Sequence, residues 1–266
     1  MRALLIAVLL SPAAAAAPAS AASVPAAAPA TAIPKDMSFE RFVFAAIWQP
    51  GVCASGELVS EAACRKGRAR GYAARHWTLH GLWADLPGGL KAEGMKTGTW
   101  YQYGCYWFRP GRALPKTMCA DPALPLAPDL RHALDARMPG RQGCLDRHEF
   151  YKHAECYGWE PNAFFKRALA LQRTLDRSPF GAFTRAHRGK TVARAALEKA
   201  FADAFGLKDA SALELRCSAR PGSTADAVLT QTWITLDAKN ADLFPKPAAF
   251  LPGRRGNCAD AVLIAR

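Results

Sequence analysis

Apolar runs and alternating polar and apolar positions predict four strands along the chain, and a longer spacing of apolar positions predicts helices. Residues 42–48 are a run of β-branched and aromatic residues that ends at a Gln-Pro-Gly turn, which is typical of a buried strand. Residues 76–80 and 227–236 alternate polar and apolar side chains, which favours half-buried strands, and residues 262–264 favour a short last one. We expect the strand at 76–80 to end in a loop at Gly81.

The longer spacing predicts helices between and after these strands. Apolar residues at three- and four-residue intervals make 161–176 an amphipathic helix. Thr191 is expected to cap the start of a later helix and Gly206 its end. Helices are predicted over residues 127–138, 148–157, 161–176 and 192–205. Since no strand–helix–strand rhythm appears, the sequence predicts an α+β fold, a single domain with a central, mainly antiparallel sheet flanked by helices.

The N-terminal segment has a different composition from the rest of the chain. A positive start, a short apolar run and an Ala/Pro/Ser tail are typical of a secretory signal peptide, which we assign to residues 1–22. Residues 23–35 follow as an Ala/Pro-rich linker, and residues 36–266 form the domain. The layout predicts a periplasmic or secreted protein that does not insert into a membrane after cleavage of the signal.

Charge and cysteine content agree with export. The chain has 35 Lys and Arg against 22 Asp and Glu, so it is strongly basic and suited to an anionic partner. Eight cysteines, an even number, predict a disulfide framework in an oxidising compartment. Spacing alone leaves 105 pairings open. The cysteines are Cys53, Cys64, Cys105, Cys119, Cys144, Cys156, Cys217 and Cys258.

Two histidine-containing segments carry candidate chemistry. In the first, His80 precedes Gly81, whose missing side chain permits close approach, and Trp83 offers a flat ring on which a base can stack. The alternative is an ordinary strand end with Trp83 in the core.

The second segment is helical. At about 100° per residue, four residues share one face of the helix: His148, Glu149, Lys152 and His153. The alternative is a solvent-facing helix held together by ion pairs. A zinc-protease site is excluded by spacing, because Lys152 occupies the position of the second histidine ligand. We therefore expect neither a metal nor any other cofactor.

Two imidazoles, a carboxyl and an ammonium group suit cleavage of RNA by its own 2′-hydroxyl. One group deprotonates that hydroxyl, another protonates the leaving 5′-oxygen, and positive charge stabilises the phosphorane-like transition state. No metal is needed, since the nucleophile belongs to the substrate. The rival hypotheses are a protein that binds RNA or an anionic glycan without turnover, and a metal hydrolase.

Both segments resemble the two active-site segments of the ribonuclease T2 family, and most closely its bacterial ribonuclease I branch. The motifs are His-Gly-Leu-Trp at 80–83 and His-Glu-Phe-Tyr-Lys-His-Ala-Glu-Cys at 148–156. The resemblance spans about residue 39 to the C-terminus. It implies an α+β fold and endonucleolytic cleavage of single-stranded RNA through a 2′,3′-cyclic phosphate, with little base preference and no metal.

The resemblance also implies a role for each matched residue. His153 is expected as general base and His80 as general acid, and Glu149 and Lys152 are expected to stabilise the transition state. His148 is expected to contact the phosphate, and Trp83 and Asp85 to lie at a base-binding subsite.

Three positions depart from the family pattern. Ala84 replaces a usual Pro, Phe150 replaces a usual Trp, and Ala154-Glu155 replaces Gly-Thr. If the helix continues through Glu155, this carboxylate lies about 20° from His148 around the axis and adds negative charge near the phosphate.

The family pattern further implies Cys217–Cys258 and Cys105–Cys156 disulfides. With these two in place, we expect the other pairs to be Cys53–Cys64 and Cys119–Cys144. An aromatic run at 100–107 and basic clusters at 65–70 and 253–256 either line an RNA groove or serve the core and solubility. The chain is expected to be a monomer.

Overall fold

The structure is a computed structural model that describes residues 30–55, 64–65, 68–220 and 227–266. The predicted signal peptide, residues 1–22, lies outside the described residues. The strands are β1 Arg41–Ile47, β2 Cys64–Arg65, β3 Arg68–Ala69, β4 Thr78–Ala84, β5 Lys190–Ala193, β6 Leu213–Ser218, β7 Ala227–Asp237 and β8 Ala261–Ile264. The α-helices are α1 Gln49–Ser55, α2 Gly88–Ala92, α3 Thr97–Tyr103, α4 Pro128–Arg137, α5 Leu145–His153, α6 Pro161–Arg177, α7 Pro179–Ala186 and α8 Arg194–Phe205.

A six-stranded sheet organises the domain. Its order is β4-β1-β7-β8-β5, and β6 pairs with β7 as well. Every pair is antiparallel except β7 and β8, which pair in parallel over two residues. This confirms the α+β fold with a mainly antiparallel sheet. In the part of the chain that the structure describes, no helix is both long and apolar enough to cross a membrane.

The core lies between the sheet and the helices packed on it. Phe42 and Phe44 of β1 are at most 1% exposed, as the apolar run predicts. The apolar stripe of α6 includes Phe165 and Leu169, and this helix packs against β4. Burying a large apolar side chain stabilises the fold by about 1.5–3 kcal/mol. The sheet and α6 therefore form a firm base for the strand that carries His80.

Helix α8 begins two residues later than the sequence predicts. Thr191 and Val192 lie in β5 and pair with β8, and Ala193 occupies the position before the first helical turn. The predicted threonine cap is wrong because these residues complete backbone hydrogen bonds at the sheet edge instead. Gly206 ends the helix in the left-handed conformation, with φ of 63°, as predicted.

The two histidine segments also have different bounds from those predicted. His76 precedes β4, which continues through Gly81 to Ala84 because it pairs with β1 along its length. The predicted loop at Gly81 is therefore wrong. Helix α5 starts at Leu145 and ends at His153, and a separate 3₁₀ turn covers Glu155–Tyr157.

All four predicted disulfides are present, namely Cys53–Cys64, Cys105–Cys156, Cys119–Cys144 and Cys217–Cys258. Cys144 lies immediately before α5, and Cys156 lies three residues after its last residue. Both ends of this helix are therefore tied to other segments. Each such cross-link typically stabilises a fold by about 2–4 kcal/mol.

Candidate active site

A β-bulge in β4 sets His80 apart from its neighbours. Adjacent β1 residues Ala45 and Ala46 pair with Gly81 and Leu79, so His80 is the extra residue that has no partner on β1. Bulges of this kind redirect a side chain and are common beside active sites. The ring of His80 lies on the side of the sheet where α5 crosses β4.

Glu149 of α5 is the most deeply buried polar group of this site. Its side chain is 1% exposed, and its Oε2 accepts a hydrogen bond of 2.7 Å from Trp83 Nε1. Its other oxygen, Oε1, lies 3.6 Å from His80 Nε2. A methyl group at Gly81 would lie 1.8 Å from Oε2, so only glycine leaves room for this carboxyl group. Glycine is thus required at position 81 because the Glu149 side chain, rather than a ligand, occupies the space that a side chain would need.

The indole of Trp83 packs between the two imidazoles proposed for catalysis. Its ring centroid lies 5.1 Å from that of His80 and 5.6 Å from that of His153. The ring of His148 lies 6.1 Å from that of His153. The sequence suggested base stacking for Trp83, and the structure adds a role in holding Glu149.

One cleft of 740 Å³ contains all seven site residues that the sequence predicts. They are His80, Trp83, Asp85, His148, Glu149, Lys152 and His153. The helix face expected from the sequence therefore opens onto the cleft rather than onto plain solvent. Because His80 comes from β4 and His153 from α5, the fold brings together two imidazoles that are 73 residues apart in the chain.

Burial and mutual repulsion set the electrostatics of the cleft. Burial raises the pKa of Glu149 to about 8, so this carboxyl group is protonated at neutral pH. Burial, with Lys152 and His80 nearby, lowers the pKa of His148 to about 4. Burial is also the main cause that lowers the pKa of His80, His153 and Lys152. An anion that enters the cleft opposes these shifts, because its negative charge favours the protonated forms of the basic groups.

Other residues that line the cleft add charged and aromatic groups. Asp85 lies 3.5 Å from Arg41 Nε, so its carboxylate is partly neutralised. Arg254 lies over the ring of Tyr101 at 4.7 Å, and Arg216 lies over that of Trp233 at the same distance. Tyr101 and Arg254 thus belong to the cleft, whereas the predicted basic cluster at 65–70 is largely outside the residues whose side chains are described.

Gln231 of β7 is a further residue of the site that no motif in the sequence predicts. Its Oε1 lies 2.7 Å from His80 Nδ1 and accepts a 2.9 Å hydrogen bond from Trp233 Nε1. Its signal in the sequence is weak, a polar position in an alternating strand. Only the register of β7 against β1 brings it to His80.

Of the three departures from the family pattern, those at Phe150 and Glu155 lie outside the cleft, whereas Ala84 lines it. Glu155 follows the end of α5, pairs with Arg109 at 3.6 Å, and does not line the cleft. The wheel position expected for Glu155 is therefore wrong, because α5 has already ended. Phe150 is buried in the core, and the Ala84 carbonyl accepts a hydrogen bond from Trp100.

A metal ion fits this cluster poorly. Within the described ranges, His148, Glu149 and His153 offer ligand atoms within 4.8 Å of one another. However, Glu149 Oε2 already accepts the indole N–H of Trp83, and burial favours the protonated form of this carboxyl group, whereas metal ligands must be deprotonated. The Lys152 ammonium adds positive charge on the same helix face.

The cleft gathers acid–base groups and positive charge, an arrangement that suits an anionic substrate. The sequence profile of the ribonuclease T2 family matches residues 39–258, so this chain belongs to that family and is an enzyme of the ribonuclease T2 type. It is 34% identical over 238 residues to ribonuclease I of Escherichia coli strain K12, covering 85% of this chain and 86% of that protein.

Solved structures share the fold. Ribonuclease MC1 from the seeds of bitter gourd is 22% identical, with a TM-score of 0.53 over 85% of this chain and 100% of that one. A mutant of the same ribonuclease in complex with 5′-GMP is 21% identical, with a TM-score of 0.53 and the same coverage.

Proposed function

We propose that this protein is an exported, metal-independent endoribonuclease that cleaves single-stranded RNA with low base specificity. The 2′-hydroxyl attacks the adjacent phosphorus, and the products carry a 2′,3′-cyclic phosphate that is hydrolysed afterwards. The observation that carries this proposal is the gathering of His80, Glu149, Lys152 and His153 on one cleft.

Each residue has a role that its surroundings support. His153 acts as general base on the 2′-hydroxyl, and His80 as general acid on the 5′-oxygen. Lys152 offsets charge on the phosphorane, and His148 contacts the phosphate. Glu149 is protonated, and because Trp83 already donates to Oε2, its proton belongs on Oε1, the oxygen nearer His80. From there it can donate to a phosphoryl oxygen.

An entering phosphodiester changes the charge of the cleft. A nearby negative charge favours the protonated forms of imidazole and ammonium groups. We therefore expect substrate to raise the pKa of His80, which is the group that must arrive protonated. Trp83 and Asp85 line the same cleft and are proposed as base contacts. The solved relative in complex with 5′-GMP is in keeping with a nucleotide-sized ligand in this fold.

Export is proposed from the N-terminal sequence and the cysteines. Residues 1–22 have the layout of a signal peptide, 23–35 that of a linker, and 36–266 contain the catalytic domain. Four disulfides persist only in an oxidising compartment, which favours the periplasm or the exterior. We propose that the mature protein is a monomer that does not insert into a membrane after the signal peptide is cleaved.

Digestion of an end-labelled RNA in EDTA tests this function. Cleavage should persist in EDTA and yield 2′,3′-cyclic phosphate ends, whereas DNA and 2′-O-methyl RNA should stay intact because they lack the internal nucleophile. Loss of activity in EDTA would favour the metal hydrolase, and RNA binding without cleavage would favour the binding protein.

A further inference from the structure

His80 has a second polar partner, which the mechanism above does not use. Gln231 Oε1 lies 2.7 Å from His80 Nδ1 and 2.9 Å from Trp233 Nε1. An indole N–H can only donate a hydrogen bond, so it requires an acceptor. It therefore orients the amide of Gln231, with the oxygen toward Trp233 and the NH₂ group turned away.

The oriented amide in turn decides where His80 carries its proton. The carbonyl oxygen of Gln231 has no hydrogen to give, so Nδ1 of His80 must be the donor. In the neutral ring the lone pair then lies on Nε2, the atom 3.6 Å from Glu149 Oε1. The other tautomer would place two lone pairs against each other at Nδ1.

We propose that Gln231, oriented by Trp233, is a positioning residue that fixes the tautomer of His80 and so prepares Nε2 as a base. This inference rests on the proposed function. Its consequence differs between the two steps of the reaction, because only a neutral imidazole has alternative tautomers.

In the first step His80 is an imidazolium with both nitrogens protonated. The 2′-oxygen bonds to phosphorus and gives its proton to His153, the bond from phosphorus to the 5′-oxygen breaks, and that oxygen takes the Nε2 proton. In the second step neutral His80 takes a proton from water at Nε2. The water oxygen bonds to phosphorus, the bond to the 2′-oxygen breaks, and this oxygen takes the proton back from His153.

Glu149, the other polar partner of His80, is also oriented by a hydrogen bond from a tryptophan. Trp83 donates to Glu149 Oε2 at 2.7 Å, as Trp233 donates to Gln231. The two indole rings pack edge to face, with centroids 4.9 Å apart. Two paired tryptophans thus orient the two oxygen-bearing side chains that flank one imidazole, one on each ring nitrogen.

The Gln231→Met variant removes the acceptor and keeps the length of the side chain. The test compares two rates in this variant and in wild type: kcat for transesterification of a dinucleotide, and kcat for hydrolysis of a nucleoside 2′,3′-cyclic phosphate. Hydrolysis should slow about tenfold more than transesterification, because only hydrolysis needs the neutral tautomer. Equal losses in the two steps, or none in either, would overturn the proposal.

A double-mutant cycle tests the role of Trp233. Trp233→Phe frees the amide to turn over and should slow cyclic phosphate hydrolysis. In a Gln231→Glu background the same change should have little effect, since both carboxylate oxygens accept hydrogen bonds. An equal cost of Trp233→Phe in the two backgrounds would contradict the orienting role, and this comparison holds even if Gln231→Met does not fold.

Gln172→Met is the matched control. Gln172 is a buried glutamine that donates to the Trp77 carbonyl at 2.6 Å and does not line the cleft. This variant should lose stability without changing the ratio of the two rates. A wild-type protein that does not cleave RNA, or an active His80→Ala variant, would instead contradict the proposed function itself.

Discussion

Two histidines four residues apart, His76 and His80, each face a buried carboxyl group. The two sites differ in the number of hydrogen-bond donors around that group. His76 Nδ1 lies 2.9 Å from Asp176, whose side chain is 7% exposed. Asp176 also accepts hydrogen bonds from the Tyr72 hydroxyl, the Trp77 backbone N–H and Arg185. Glu149, beside His80, is more buried but accepts only the indole N–H of Trp83 in the described structure.

The difference shows what separates a structural carboxylate from a reactive one. Donors around Asp176, one of them a guanidinium, replace the water that a carboxylate loses on burial. Glu149 has too few donors for this, so burial raises its pKa to about 8 and the carboxyl group keeps its proton at neutral pH. The arrangement around Asp176 links β4 to α6 and α7. The arrangement around Glu149 instead places a protonated carboxyl group beside an imidazole in the cleft.

The largest effect that this comparison predicts is on the histidines. His153→Ala and His80→Ala should each lower kcat by about a thousandfold, because general acid–base catalysis is typically worth 10²–10⁴. His76→Ala should leave kcat within about twofold, since His76 does not line the cleft. Steady-state cleavage of a dinucleotide measures all three, and circular dichroism checks that each variant is folded.

Gly81→Ala should have the next largest effect. The added methyl group would lie 1.8 Å from Glu149 Oε2, so the carboxyl group must move away from Trp83 and His80. We expect kcat to fall about a hundredfold with a modest change in stability, as a displaced catalytic group typically costs. Gly98→Ala is the control, because a methyl group there contacts nothing within 4 Å. Full activity of Gly81→Ala would contradict the placement of Glu149.

The two carboxyl groups should respond to mutation in opposite ways, and the effect at Glu149 should depend on pH. Because the folded-state pKa of Glu149 is raised from 4.5 to about 8, the unfolded chain releases a proton that the folded chain retains between these pH values. Glu149 therefore costs stability as pH rises through this window. Glu149→Gln should gain stability relative to wild type from pH 5 to pH 8, as urea denaturation at both pH values would show.

Asp176→Ala should instead lose about 3–5 kcal/mol, because it leaves Arg185 and other buried donors without their acceptor. The same urea denaturation measures this loss. The contrast between the two sites would be contradicted if the stability difference for Glu149→Gln did not change with pH, or if Asp176→Ala did not lower the free energy of unfolding.

Glu155→Thr should have the smallest effect. Its carboxylate pairs with Arg109 outside the cleft, so we expect kcat to change less than about twofold and stability by less than about 1 kcal/mol. A large gain in activity at low ionic strength would show that Glu155 does act on the substrate.

Local patterns predicted most of the fold, and tertiary register explains what they missed. Residues 42–48 are an unbroken apolar run that ends at a turn, and residues 161–176 have a helical period, so their strand and helix follow from sequence alone. Thr191 was misassigned because pairing with β8, invisible in the local sequence, competes with capping. At the site, motifs predicted His80, Glu149 and His153, which line one cleft. Gln231 required the register of β7, which no local pattern encodes.

The division of labour between His80 and His153 is the central claim, and a substrate with sulfur in place of the scissile 5′-oxygen tests it most directly. A thiolate leaves without protonation, so it needs no general acid. We predict that His80→Ala cleaves this substrate at close to the wild-type rate, while His153→Ala remains slow because the 2′-hydroxyl still needs its base. Restoration of the His153 variant instead, or of neither variant, would contradict the assignment.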